Sequence, residues 1–369
     1  GNPFAQVQQL TVFENLKKAV NEGYFEELIR KYLLENPHGC IMTLIPKKGL
    51  AAQREKELEE KLEAYRSSLS EEQLDAMVEK TKALEAYQEA GEDPKALECI
   101  PMLKRSDIKK EAAKIVNEEL TVDNSLFLYH DVCTNGIGYV DLMFKTDSIA
   151  PEQIPYLGLL KSVLGYVDTE HYTYGELFNE INANTGGINC GVEVFDRADS
   201  TEEFQAMFSV RGKALYTKMD FLFKMIGEIL NSSKLEDTKR LYEIVASVKS
   251  RAQVNLTGAG HSTAVLRAAA YSSPMAAFQD EMAGIGYYQF IEKLEKDFEQ
   301  RKEETVEELC KLMKKILRPE NFMISYTGER ESLETVQKLA GTVKAGLGTE
   351  PVEKSKEKLT CTKKNEGFK

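Results

Sequence analysis

Hydrophobic residues follow a helical period near the start of the chain and an alternating period from about residue 121. In "YFEELIRKYLLEN" apolar side chains recur at intervals of three and four, which predicts helix across residues 10–35. Pro37 ends this helix, and the apolar run at residues 40–45 before Pro46 predicts a short strand. The first part of the chain is therefore expected to be mainly helical.

Residues 51–90 have the composition of long exposed helices. "SLSEEQL" in the middle of this stretch combines a serine cap with acidic first-turn residues, so it starts a second helix. An apolar stripe with steps of three and four runs along both halves, and it includes Leu58, Leu62, Tyr65 and Leu69, then Leu74, Met77, Val78 and Leu84. The pattern predicts a long antiparallel helical hairpin.

Strands and helices occur in separate groups after residue 121. "NSLFLYHDV" and "IGYVDLMFKTD" flank Asn135-Gly136, which predicts that these two strands form a β-hairpin. "GGINCGVEVFDR", "EEFQAMFSVRGKAL" and "NFMISYTG" are further strands, and helices are predicted at 151–164, 173–183, 214–230, 236–253, 261–271, 276–295 and 300–317. This order indicates an α+β fold, with an antiparallel or mixed sheet covered by helices and preceded by the helical hairpin.

Charge and composition exclude several classes of partner. The formal net charge is −12, so neither a nucleic acid nor an anionic membrane surface is an expected partner, whereas basic or unfolded polypeptide is. No apolar run reaches the ~20 residues that a membrane span requires. Six cysteines are spread singly, which favours a reducing compartment, and the cytoplasm is expected with an organelle matrix as the alternative. Gly1 and the polar, lysine-rich end of the chain indicate an internal segment of a longer protein.

Histidine-containing pairs do not form a complete metal site in the sequence. Glu170-His171 would belong to an H-x-x-E-H zinc helix only with histidine at position 167, where the chain has Val167, so a loop or helix cap is favoured. His130 and Asp131 diverge on a strand, because adjacent strand residues face opposite sides. A structural role is therefore favoured for both pairs.

Two glycine-containing segments lack the features of nucleotide sites. "LTGAGHSTAVLRAAA" has no P-loop lysine, and capping of a helix by Ser262 or Thr263 is favoured over phosphate binding. "GIGYYQF" lies within the predicted helix 276–295 and lacks the dinucleotide fingerprint. No nucleotide cofactor is expected.

An ordered series of segments resembles a known family. "GYFEELIRKYLLENPHGCIMTLIPKKGL", "LECIPMLKRSDI", "TNGIGYVDLMF", "TEHYTYGELFNEINANTGGI", "TGAGHSTAVLRAAAYSS" and "GIGYYQFIEKL" together are similar to the presequence-protease branch of the pitrilysin and insulinase-like zinc metallopeptidases. The resemblance covers nearly the whole chain.

This resemblance implies a domain organisation. Proteins of the family have four related α+β domains in two halves that close around unfolded peptides. Residues 1–48 would end the second domain, 49–117 would form the hairpin linker, 118–350 the third domain, and 351–369 a tail leading to a fourth domain. The catalytic half and the fourth domain would then be partners in cis, and unfolded peptides would be substrates.

The resemblance also implies that the segment holds no metal of its own. The family binds zinc through an H-x-x-E-H helix in its first domain, and the corresponding helix here would carry Leu157, Leu160 and Lys161 instead. Leucine and lysine cannot replace these ligands and the general base. The chain is therefore expected to be inactive alone and to supply a chamber wall and the hinge of a zinc-dependent parent peptidase.

Three residues in "TGGINCGVEVF" are candidates for contact with a peptide. If this strand lies at a sheet edge, its backbone can pair with an extended peptide near Gly187, Asn189 and Gly191. A plain structural strand is the alternative. For the whole chain, the alternatives are a non-enzymatic interaction module and an independent metal hydrolase using His130, Asp131 and His171.

Overall fold

A computed structural model describes residues 2–7, 9–112, 114–353, 355, 359, 361, 366 and 367. The chain divides into two compact units, Gly1–Lys110 and Glu111–Lys369. Within the described residues, no helix is both long enough and apolar enough to cross a membrane.

The first unit is helical. Its helices are α1 (Leu10–Val20), α2 (Tyr24–Ile29), α3 (Leu50–Ser67), α4 (Glu71–Glu89) and α5 (Pro94–Leu97). α2 continues as a π-helical turn, and Gly23, with φ +74°, separates it from α1. The predicted helix over 10–35 is thus confirmed, with a break that a left-handed glycine makes.

The strand predicted at residues 40–45 is wrong. The backbone there is irregular, and Ile41 is 98% exposed. A strand requires a neighbour to pair its backbone groups, and the described part of the first unit contains no other strand.

The two long helices of the predicted hairpin are present. Ser70 begins α4 with a capping box, in which its hydroxyl accepts from the Gln73 amide at 3.3 Å and the Gln73 side chain accepts from the Ser70 amide at 3.0 Å. No residue of either helix is buried, and the apolar stripe is still about half exposed at Leu62 (56%) and Met77 (49%).

A six-stranded sheet forms the base of the second unit. Its strands are β1 (Glu118–Val122), β2 (Ser125–Asp131), β3 (Ile137–Lys145), β4 (Ile188–Arg197), β5 (Ser200–Leu215) and β6 (Phe322–Gly328). The order across the sheet is β1-β2-β6-β3-β5-β4, and only the β2–β6 pair is parallel. The predicted mixed sheet is confirmed, and β4 lies at one edge.

The hairpin predicted between β2 and β3 is wrong. Asn135 and Gly136 do adopt positive φ, at 53° and 80°, but β6 lies between the two strands, and Tyr326 pairs with residues of both. The tight hairpin is instead at Asp123-Asn124, with φ 47° and 64°, which joins β1 to β2.

Nine helices are described in the second unit. They are α6 (Ile154–Val163), α7 (Tyr174–Asn184), α8 (Met219–Ser232), α9 (Thr238–Gly258), α10 (Gly260–Ala269), α11 (Pro274–Ala283), α12 (Ile285–Lys296), α13 (Phe298–Ile316) and α14 (Leu333–Ala345). With the sheet, they confirm the α+β class. The predicted helix 214–230 starts only at Met219, because β5 extends to Leu215.

Two local predictions about these helices are wrong. The helix predicted over 276–295 is broken at Gly284, where Asp280 accepts hydrogen bonds from the first amides of α12. Ser262 and Thr263 do not cap a helix but lie inside α10, and the Thr263 hydroxyl donates to the Ala259 carbonyl at 3.2 Å.

The core of the second unit lies between the sheet and its helices. Alternate residues of the central strands are buried, including Phe127, Tyr129, Leu142, Phe144, Phe208 and Ile324. α6 is surrounded by α9, α11, α12, α13 and β4. This packing holds α6 and α9 beside the edge strand.

Candidate functional site

A cleft of about 720 Å³ follows the free edge of β4. Residues 187–193 all line it. Neighbouring strand residues face opposite sides of a sheet, so an unbroken run can share one cleft only along the strand's edge. α6, α7 and α9 supply the other wall, and we call this space the β4 cleft.

The structure brings the three predicted contact residues to this cleft. Gly187 has φ +109°, which strongly favours glycine, and Asn189 is exposed on the strand. A Cβ on Gly191 would lie 3.1 Å from Ser209 Oγ on the neighbouring β5. The edge position on which the prediction depended is thus observed, and contact with a peptide stays a prediction.

An ion network fixes β4 to the sheet. Arg211 on β5 lies between two carboxylates, with Nε 2.7 Å from Asp141 Oδ2 on β3 and an Nη atom 3.2 Å from Glu193 Oε1 on β4. Burial raises the pKa of Asp141, and Arg211 opposes this effect. The network joins three strands, so it keeps the edge strand in register.

Lys161 extends from α6 to line the same cleft. Burial lowers its pKa, against an opposing effect of Glu193. Within the described parts of the chain its ammonium forms no ion pair. The sequence singled out Lys161 only as a residue that cannot bind zinc, whereas the fold places its charge in the cleft.

The two leucines of the predicted zinc-helix equivalent are packed in the core. Leu157 is 0% exposed and Leu160 is 1% exposed. The described residues contain no cluster of three or more histidine, cysteine, aspartate or glutamate side chains that could hold a metal ion. The expected packing role of these leucines is confirmed.

Glu170-His171 lies in the loop between α6 and α7. His171 Nδ1 is 3.0 Å from Glu228 Oε2 on α8, and the His171 amide donates to the same carboxylate at 3.1 Å. The cap of α7 is Thr173, which forms a capping box with Glu176. The predicted loop is confirmed, with the capping role on Thr173.

His130 is also used in structural hydrogen bonds. Its Nδ1 lies 2.7 Å from the Val116 carbonyl and its Nε2 lies 3.2 Å from Ser325 Oγ. Asp131 ends β2 and pairs with Arg330 at 3.5 Å. These partners differ from those of His171, so the structure does not assemble the metal site that would need all three residues.

Residues on α9 line the cleft without any signal in the sequence. Arg240, Ile244, Ser247 and Arg251 follow steps of four, three and four, which place them on one helix face. Their mixed chemistry hides this face from a hydrophobicity pattern. Only the packing of α9 beside β4 identifies them.

Comparison with known proteins gives the family. The family model for proteins associated with subfamily C of the M16 peptidases matches residues 44–294. Protein HypA of Clostridium perfringens is 33% identical over all of this chain, which covers 38% of that protein. Presequence protease 1, chloroplastic/mitochondrial, of Arabidopsis thaliana is 27% identical over 91% of the chain, which covers 32% of it. The chain thus spans about a third of the length of these relatives.

Among solved structures, the peptidase M16 inactive domain from Pseudomonas fluorescens is 14% identical, with a TM-score of 0.43, and the match covers 65% of this chain and 53% of that one. The family-model match extends over more than half of the present chain. The chain therefore belongs to the pitrilysin and insulinase-like M16 peptidase family, in its presequence-protease branch.

Proposed function

We propose that the chain is the central, non-catalytic part of a zinc-dependent metalloendopeptidase that degrades unfolded peptides. In this role it forms one wall of the substrate chamber and the hinge between the two halves. Family membership and the presequence-protease relatives support the class of the parent enzyme. The leucines in the core of α6 support assigning zinc to another domain of the parent.

The free edge of β4 is the observation that carries the proposed peptide contact. An extended peptide can add to a sheet edge as a further strand through main-chain hydrogen bonds. Such bonds do not depend on side-chain identity, so they suit unfolded peptides of many sequences. Gly187, Asn189 and Gly191 are the proposed contacts, since they leave little side chain between the edge and a ligand.

The first unit supports the proposed partners in cis. Its segment around the predicted strand exposes large apolar side chains, including Leu34 (77%), Ile41 (98%) and Leu44 (86%). Apolar surface of this kind marks interaction sites. In the proposal, residues 1–48 complete a domain of the catalytic half, 49–117 link it to the domain at 118–350, and 351–369 lead to the fourth domain.

The proposed compartment is the cytoplasm, with an organelle matrix as the alternative. All six cysteines are free, which fits a reducing environment. Relatives from several eukaryotes are named mitochondrial or chloroplastic/mitochondrial presequence proteases. Localisation of the full-length gene product decides between the two compartments.

Hydrogen exchange tests the proposed peptide contact. With an unstructured peptide bound to the chain, alternate amides of β4 should gain protection, because every second N–H points to the free edge. β1, the strand at the opposite edge, serves as an internal control and should be unchanged. Unaltered exchange in β4 would contradict the proposal.

A non-enzymatic interaction module of the same fold is the alternative function. It would use the same edge strand but would not belong to a cleaving enzyme. The sequence upstream in the parent gene distinguishes the two, since an H-x-x-E-H motif there supports the peptidase. Peptide hydrolysis by the 369-residue chain itself would contradict both.

A further inference from the structure

The β4 cleft continues into a second cleft of about 410 Å³. Ser162 on α6 and Arg251 on α9 line both. Tyr287 on α12 lines the second cleft. The junction of the two clefts therefore lies where α6 and α9 pass beside each other.

Positive charge at this end of the β4 cleft is not neutralised. Of the ionic side chains that line the cleft, Arg240 pairs with Glu243 at 2.9 Å and Glu193 pairs with Arg211 at 3.2 Å. Lys161 and Arg251 form no ion pair within the described ranges. A chain with net charge −12 thus keeps two unpaired cations in one cleft.

A buried hydroxyl adds a hydrogen-bond donor. Tyr287 is 5% exposed, and its hydroxyl has no partner in good hydrogen-bond geometry among the residues that the structure describes. Burial raises its pKa, with opposing effects of Arg251 and the nearby Ser162, so the hydroxyl stays protonated at neutral pH. Buried polar atoms in proteins are normally satisfied, so this one points to an acceptor supplied from outside the chain.

We infer that the junction is a carboxylate subsite: a peptide paired with β4 directs a carboxylate to the end of the cleft lined by Lys161, Ser162 and Arg251. The guanidinium of Arg251 matches a carboxylate in a two-pronged contact, and Lys161 adds a point charge. Tyr287 donates from the adjoining cleft. The carboxylate is either the peptide's C-terminus or an aspartate or glutamate side chain, and this inference rests on the proposed peptide contact.

Binding of three fluorescent peptides to the full 369-residue chain tests the inference by anisotropy. They share one unstructured sequence without acidic residues and end as a free acid, as an amide, or as an amide with one internal aspartate. A peptide with the correct carboxylate should bind about tenfold tighter than the neutral amide. The peptide that shows this gain identifies the source of the carboxylate.

Variants assign the effect to the junction. Arg251→Gln and Lys161→Met should each abolish most of the preference and leave affinity for the neutral amide unchanged, whereas Tyr287→Phe should reduce the preference about threefold. Arg251→Lys keeps the charge and should restore part of it. Lys338→Met on α14 changes the net charge equally and should have no effect. Arg251 is exposed, so Arg251→Gln remains informative if Lys161→Met fails to fold.

The outcomes separate this inference from the proposed function. Equal binding of all three peptides, with β4 still protected from exchange, would overturn the subsite and leave the peptide contact intact. A preference that Lys338→Met weakens as much as Arg251→Gln would also overturn it, because net charge alone would then explain the result. If none of the peptides binds, both proposals fail.

Discussion

At the residue scale, the carboxylate of Glu329 holds the connection between β2 and β3. It accepts hydrogen bonds from the amides of Thr134 and Asn135, at 2.9 and 3.0 Å, and from the Thr134 hydroxyl at 2.8 Å. Tyr216 joins this group by accepting from the Glu329 amide at 2.7 Å. The turn at Asn135 is thus stabilised by the chain that follows β6, where no hairpin partner is available.

Glu329→Gln should flatten the dependence of stability on acid pH. Burial raises the pKa of Glu329, but its hydrogen bonds outweigh this effect and lower the pKa from 4.5 to about 2. A lowered pKa in the folded state means that the carboxylate stabilises the protein above pH 4.5 and loses this contribution as the pH falls toward 2. Urea unfolding of both proteins at about pH 6 and about pH 3 measures the effect. An equal difference in unfolding free energy at both values would contradict the prediction.

Asp280→Ala should destabilise the second unit by about 3 kcal/mol. Asp280 is 1% exposed, caps α12 through the amides of Ile285 and Gly286 at 3.0 and 3.1 Å, and pairs with Arg267 at 2.5 Å. Its loss leaves two buried amides and a guanidinium short of a partner. Chemical denaturation measures the change. Glu299→Ala, which removes an exposed pair with Lys302, is the control and should cost less than about 0.5 kcal/mol.

At the element scale, α6 shows why a helix that holds zinc elsewhere in the family is expected only to pack here. Leu157 and Leu160 are buried, and the helix passes so close to its neighbours that a Cβ on Gly158 would lie 2.5 Å from the Met282 carbonyl oxygen. The Tyr287 ring would lie 2.8 Å from the same Cβ. The close approach depends on the absence of a side chain at Gly158.

Gly158→Ala should therefore destabilise the protein by about 1–3 kcal/mol, because backbone as well as side chain must move to admit the methyl group. Gly227→Ala on α8 is a matched control, since a Cβ there meets nothing within 4 Å. That change should be neutral or stabilise by up to about 1 kcal/mol through helix propensity. Thermal or urea unfolding of the two variants distinguishes the effects, and equal results would show that α6 is not tightly packed.

Element types were easier to predict than their pairing. Periodicity identifies most helices and strands of the second unit, because burial on one face repeats every 3.6 or 2 residues. The Asn135-Gly136 signal predicts the correct turn but the wrong neighbour. β6, which enters between β2 and β3, comes from near residue 322, and a local pattern contains no information about so distant a strand.

At the scale of the whole molecule, the two units differ in burial. The second contains the hydrophobic core, whereas no described residue of the first is buried. Stability of the second unit should therefore be independent of the first, because removal of the first takes no residue from the core.

Deletion of residues 1–110 should leave the unfolding midpoint of the second unit within about 3 °C of its value in the full chain. Differential scanning calorimetry of both proteins provides the measurement, with near-UV circular dichroism as a check of tertiary packing. A shift of the midpoint by more than about 10 °C, or loss of the near-UV signal, would contradict the independence of the second unit.

The sequence by itself determined the fold class, the helical first part, the family resemblance and the apolar character of Leu157 and Leu160, since these depend on local period and residue type. It also indicated Gly187, Asn189 and Gly191, conditional on a sheet edge. Only the tertiary structure decided that β4 is an edge strand and that Lys161, Arg251 and Tyr287 line connected clefts. Those relations join strands and helices that are far apart in the chain, and long-range packing creates them.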